Sequence, residues 1–531
     1  MKKGLFLFLT FLLALSSLLA GCGDDSNKSN SGGDSKSGGT LVFARGGDST
    51  SLDPITSTEG ETFRVTDNIF ENLLEYGETD TTIQPSLAES WDVSSDGLVY
   101  TFKLLKGVKF HDGTEFNADA VVYNFDRWMN GDVDKFPYYT MFGDFKGKEG
   151  AVIKEVKAVD ANTVQFTLTR SQAPFLKNLA MSPFGIASPA ALKKYGDDFR
   201  AHPVGTGPFQ FVEWKESDKI VLKKFKDYHV KGEPKLDGVI FRVIPDNSAR
   251  LNALKGGEVD VIDGLNPSDE SKVSGDSSLQ IIKRPSMNVG YLGFNVETKP
   301  FDNKLVRQAL NMAIDKNALI KAFYAGQAIP AKNAMPPSIE GYNDAVVDYK
   351  YDLTAAKAKL AEAGFPNGFT IDLWAMPVAR PYMPEAQKVA EVIQANFKEI
   401  GVTVTVKTEE WATYLDDAAK GNLSMFMLGW TGDNGDADNF LYTLLDKDSI
   451  GGNNYSRYSN DALHDILIKA QTESDPAKRN DLYKQAQVII HDDAPWVPLV
   501  HSTPLMAAGE NVKGYVAHPT GSESFKGVSL K

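Results

Sequence analysis

A chain of 531 residues, 42% hydrophobic and 24% charged, has enough material for two or three packed domains. Its formal net charge of -14 excludes nucleic acid as a partner, because a phosphate-binding face needs clustered lysine and arginine. The one cysteine, Cys22, excludes intrachain disulfides, cysteine-based metal sites and CxxC redox chemistry.

The chain opens with Lys2 and Lys3, followed by an apolar run from Leu5 to Ala20 that only Thr10, Ser16 and Ser17 interrupt. A membrane span needs about 20 apolar residues, so this shorter run, rich in small residues near its end, reads as a secretory signal peptide over residues 1–21. It ends in Leu19-Ala20-Gly21-Cys22, which resembles the bacterial lipobox. Small residues there admit the extended chain to a peptidase groove, and the Cys22 thiol takes up a diacylglyceryl group as a thioether. Two or three acyl chains then hold a membrane far more firmly than one. Removing Lys2 and Lys3 with the leader takes the net charge from -14 to -16. Residues 22–39, mostly Gly, Ser, Asp, Asn and Lys, cannot offset the entropy of folding and read as a flexible tether. The expected place of work is the extracytoplasmic face of the cell membrane.

Ordered structure is expected from a strand at Thr40–Ala44. A strand at Tyr100–Leu104 alternates in polarity, and a helix is expected over Asp119–Met129 behind the capping candidates Asn117 and Asp119. Strands at Thr163–Leu168 and Ile220–Lys224 follow, with a turn cluster at Gly205–Phe209 between them. Asp302 or Asn303 can cap a helix running to Ala325, stopped by Gly326, and Asp352 can cap one ending at Gly364. A βαβαβ pattern comes next: strand Phe369–Ala375, helix Pro384–Ile400, strand Val402–Thr408, helix Trp411–Lys420 and strand Ser424–Gly429. Short strands alternating with helices predict parallel strands joined by right-handed crossovers. A last helix starts at Asp475-Pro476 and ends before Pro495.

Ligands of open parallel sheets sit outside the carboxyl ends of the strands. Arg380 follows one strand of the βαβαβ unit and Asp433 follows another, so both are expected on the same edge. Arginine takes a carboxylate in two parallel hydrogen bonds, and aspartate accepts from an ammonium. Held apart on one rim, they suit a zwitterion such as a free peptide, whose buried termini would each cost several kcal/mol without partners, on the order of other buried charges. Tyr382 and Trp430 flank the two charges and can supply flat apolar walls. On pattern alone, two unrelated loop charges remain the alternative.

Enzyme motifs are missing. The chain has no GxSxG, HExxH or Walker sequence, and Gly143–Lys148 is one spacer short of a P-loop. The acidic run Asn434–Asp438 is not an EF-hand loop, because Leu445 stands where a bidentate Glu belongs. The seven histidines (His111, His202, His229, His464, His491, His501 and His518) form no close ligand pair in sequence. No catalytic residue, metal site or cofactor is expected.

Several stretches carry a family resemblance: Leu87–Val93 (LAESWDV), Gly107–Asp112 (GVKFHD), Pro203–Phe209 (PVGTGPF), Asn288–Leu292 (NVGYL), Ile371–Val378 (IDLWAMPV) and Gly429–Asp436 (GWTGDNGD). They resemble the family 5 extracellular solute-binding proteins of ABC importers, over nearly all of residues 40–531, and the last two resemble its dipeptide-binding branch. The resemblance implies an α/β fold, a two-lobed periplasmic-binding-protein-like clamshell (class II, cluster C) with an extra subdomain on the N-terminal lobe. It implies an N-terminal lobe over 40–285, with the subdomain at about 75–225, a ligand-binding lobe over 286–503, and a return over 504–531. Arg380, in Pro377-Val-Ala-Arg-Pro-Tyr382, matches the family's carboxylate-binding arginine. Asp433, in Trp430-Thr-Gly-Asp433, matches its ammonium-binding aspartate, and Thr58 matches a ligand-side residue more loosely. The implied partners are a short peptide, with dipeptides favoured, and ABC permease subunits, the protein itself being a monomer. Enteric members carry disulfides that this chain has no cysteines to form. Haem, a nickel chelate, glutathione or an opine are alternative cargoes within the family, and a peptide-sensing receptor without transport is an alternative role.

Overall fold

The computed structural model describes residues 38–531. The signal peptide, Cys22 and all but the last two tether residues lie outside the described residues. Gly39 is already tied down, its N–H donating to Asp237 Oδ2 at 2.8 Å.

Strand Thr40–Arg45 lies inside a seven-stranded sheet, parallel to Gly238–Val243 on one side and Val261–Ile262 on the other. Both its faces are covered. Leu41 and Phe43 pack into one apolar cluster and Val42 and Ala44 into another, the two-residue period of a strand buried on both sides. Strands Phe209–Lys215, Lys219–Lys224, Leu279–Lys283 and Leu505–Gly509 complete the sheet. A four-stranded antiparallel sheet over Ala88–Val93, Val99–Leu104, Ile153–Asp160 and Thr163–Leu168 has its own core, packed by helix Ala118–Met129. Asn117 caps that helix, accepting from Ala120 N–H at 3.0 Å. The subdomain expected at about 75–225 thus overlaps the main sheet: Phe209–Lys215 and Lys219–Lys224 pair there and not with the four-stranded sheet.

The second half builds a six-stranded sheet in the order 328–330, 496–502, 288–294, 425–431, 370–374, 403–407. Its last three strands are parallel, as the alternation of strands and helices predicted, and the other three join antiparallel. Strand Asn288–Phe294 is buried at every position, flanked by strands on both sides. The chain passes between the seven- and six-stranded sheets twice, from Lys283 to Asn288 and from Ser502 to Leu505.

One expected helix is two. The run from Asn303 towards Ala325 splits into Lys304–Met312 and Lys316–Phe323. Asp315 causes the break, because its side chain accepts from Ala318 N–H at 3.0 Å and caps a new helix inside the apolar run. Helices Asp438–Leu445 and Asp461–Thr472 were not anticipated. The first is almost wholly buried, so it shows little of the polar face that periodicity detects.

Candidate functional site

Strands Thr370–Trp374 and Met425–Thr431 are parallel neighbours, so the segments that follow them leave the same edge of the six-stranded sheet. Arg380 sits in a tight loop where its N–H and carbonyl exchange hydrogen bonds with Met383, at 3.2 and 2.9 Å. Its guanidinium lies 4.9 Å from the centroid of the Trp411 ring, a cation–π contact. Nη1 stands 3.3 Å from Oε1 of Glu61, on helix Gly60–Thr66 beside the other large sheet.

Asp433 is held by a small polar ring. Its N–H donates to Asn439 Oδ1 at 2.8 Å, and Asn439 Nδ2 donates to Asp433 Oδ2 at 3.0 Å. Trp430 Nε1 donates to the same Asn439 oxygen at 3.0 Å, which fixes the indole. From the opposite side Tyr138 OH donates to Asp433 Oδ1 at 3.3 Å. Burial pushes the Asp433 carboxyl up to about 7, against the pull of the Asn439 and Tyr138 hydrogen bonds. A carboxylate in that state gains from a cation placed beside it.

Arg380 and Asp433 line one cavity of about 170 Å³ between the two large sheets, together with Tyr382, Trp430 and Thr58. Thr58 is exposed, and Tyr382 is buried. The Tyr382 ring lies over Gly429, where an added Cβ would fall 2.3 Å from Tyr382 Cδ2 and 2.5 Å from the carbonyl of Val289. Only glycine leaves room for the ring there.

Other lining residues escaped the sequence reading. Glu61, Arg64, Tyr138, Trp411, Tyr455 and Arg284 all face the cavity. Glu61 and Arg64 belong to a buried ion cluster in which Arg64 Nη1 meets Glu61 Oε1 at 2.9 Å and Asp263 Oδ2 at 2.6 Å. Nothing local distinguishes these charges from solvated ones, because Asp263 lies far along the chain. Trp411 could have been suspected, since it opens the helix after a βαβαβ strand.

The two halves also meet beyond the cavity. Asn434 Nδ2 donates to Asn178 Oδ1 at 2.8 Å, and Lys177 Nζ donates to the Gly435 carbonyl at 2.9 Å. Gly435 has φ +63°, and a Cβ there would sit 1.9 Å from Thr81 Oγ1. Gly435→Ala therefore adds backbone strain and a wedge between the halves. It is expected to weaken ligand binding by about tenfold or more, although Gly435 does not line the cavity. Calorimetry with X-ray scattering checks this, and unaltered affinity with unaltered ligand-induced compaction would refute it.

Asp436, in the acidic run, forms a two-pronged ion pair with Arg479 at 2.7 and 2.8 Å, which engages both of its carboxylate oxygens. Tertiary structure does bring histidines to carboxylates: His229 Nε2 lies 2.8 Å from Glu71 Oε1, and His464 Nδ1 lies 3.1 Å from both oxygens of Asp446, with Asp448 at 3.9 Å. Neither group lines the cavity.

A fold with two large sheets, two chain crossings and a charged cavity between the halves defines a two-lobed binding protein. The model of the bacterial extracellular solute-binding proteins, family 5, matches residues 82–452, and the chain belongs to that family. It is 43% identical to the dipeptide-binding protein of Escherichia coli, over 93% of this chain and 95% of that relative. It is 40% identical to heme-binding protein A of Haemophilus influenzae, over 98% of each chain. Among solved structures, the ABC transporter-associated periplasmic binding protein of Helicobacter pylori, in complex with the peptide STSA, superposes with a TM-score of 0.86. That protein is 38% identical, with 93% of this chain and 98% of that one covered. Members of the family are substrate-binding proteins, and the family name places them outside the cytoplasm.

Proposed function

We propose that the protein is the substrate-binding component of an ABC importer that captures short peptides, dipeptides foremost, and delivers them to a membrane permease. The observation that carries this reading is the presence of Arg380 and Asp433 on one interlobe cavity, each braced by groups from both halves of the molecule. Arg380 takes the peptide carboxylate and Asp433 the ammonium. Trp430 and Tyr382 form apolar walls, and Thr58 adds a polar contact from the N-terminal side. The names of the relatives support a peptide cargo, and one of them names haem instead.

Ligand bridging the lobes stabilises the closed arrangement, a population shift about the crossings near Pro285–Ser286 and Thr503–Pro504. The closed form docks on the permease as a monomer. A lipid at Cys22 holds it to the outer face of the cell membrane, and residues 23–39 let it reach the transporter. We assign no catalytic step and no cofactor.

Native mass spectrometry of the purified protein tests the cargo. Released masses of two-residue peptides are expected. Haem, a metal chelate or an opine in their place would overturn the peptide reading.

A further inference from the structure

Glu61 Oε1 is shared by two guanidinium groups, Arg64 at 2.9 Å and Arg380 at 3.3 Å, and the Glu61 side chain is only 4% exposed. Arg64 belongs to the same lobe as Glu61, whereas Arg380 comes from the other. Arg380 has no second ion pair among the described residues. Glu61 does: Arg64 remains beside it, itself anchored to Asp263 at 2.6 Å, and Arg45 Nη1 lies 4.0 Å from Glu61 Oε2.

This asymmetry has a consequence for any ligand that needs Arg380. A guanidinium binds one carboxylate best, through two parallel short bonds, and the single 3.3 Å contact to Glu61 is longer than a strong charge-assisted bond. A ligand carboxylate can therefore take Arg380 from Glu61, and Glu61 falls back on Arg64 and is not left as a buried unpaired charge. A neutral carbonyl, such as a C-terminal amide, offers too little to make the exchange.

We propose that Glu61 is an affinity-setting residue that competes with the ligand carboxylate for Arg380, so that a carboxylate engages Arg380 only by displacing Glu61. This deepens the peptide reading and rests on Arg380 as the carboxylate anchor. Glu61 acts through Arg380 and sets the threshold for its release.

The test is calorimetric titration of Glu61→Gln and wild type with a dipeptide and with its C-terminal amide. Removing the competing charge is expected to tighten binding of the free acid by about tenfold and to leave the amide within about twofold. Weaker or unchanged binding of the acid would overturn the proposal, since it would make Glu61 a support for Arg380 and not its competitor. Failure of the underlying reading is read separately: Arg380→Ala would then discriminate acid from amide as well as wild type does. Should Glu61→Gln not fold, X-ray scattering of the peptide-free wild type and Arg380→Ala decides. Loss of the interlobe contact is expected to enlarge the radius of gyration, and an unchanged radius overturns the proposal.

Discussion

Arg380→Ala is expected to weaken binding of a free dipeptide by about a hundredfold or more, the usual loss when one partner of a buried, hydrogen-bonded charge pair is removed. The side chain is well placed for such an effect. It lines the cavity and stacks on Trp411, which limits the guanidinium to a narrow set of orientations. A planar fork held in place loses little entropy when it receives a carboxylate. The loss should vanish for a C-terminally amidated peptide, which has no charge to present. Calorimetry on the acid and the amide checks both statements, and equal losses on the two would remove Arg380 from carboxylate recognition. Arg380→Lys should restore only part of the affinity, because an ammonium cannot form the two parallel bonds.

Asp433 gives the second large effect, and it depends on pH. Burial raises its carboxyl to about 7, and a ligand ammonium beside it favours the charged form, so the bound-state value lies lower. Binding is therefore coupled to proton loss. Above pH 7 the carboxylate is already formed and affinity is at its full value. As pH falls through 7 the proton competes with the ammonium, and affinity should drop by up to about tenfold per pH unit until the bound-state value is reached. On the alkaline side the peptide amine loses its own proton near pH 8, about the usual value for an α-amino group, and affinity falls again. The expected profile is a bell with its maximum at about pH 7–8. Asp433→Asn should flatten the acid limb, lower the maximum by about a hundredfold and abolish discrimination against N-acetylated peptides. An acid limb that persists in Asp433→Asn would assign the titration to another group.

Both predictions concern residues legible in the chain itself, and the reason is topological. In a βαβαβ unit the right-handed crossover dictates which ends of the strands lie together. Arg380 and Asp433 follow the strands ending at Trp374 and Thr431, so their common edge could be read without coordinates. Helix Trp411–Lys420 was equally readable, since its apolar face and the Gly421 stop are local signals. Locality also explains the failure at residues 303–325. Apolar spacing continued across Ala313 and Ile314, and the capping power of Asp315 was hidden inside an otherwise helical run.

What the amino-acid sequence by itself determined is the chemistry drawn from neighbours along the chain: the βαβαβ alternation, the family motifs, and the expectation of one guanidinium and one carboxylate on a shared rim. Tertiary structure alone decided what faces them. Glu61 and Tyr138 are hundreds of residues from Arg380 and Asp433, yet they lie within hydrogen-bonding reach of them. No periodicity or cap encodes such pairs, because they exist only once two separately cored lobes pack together and exclude water from the charges between them.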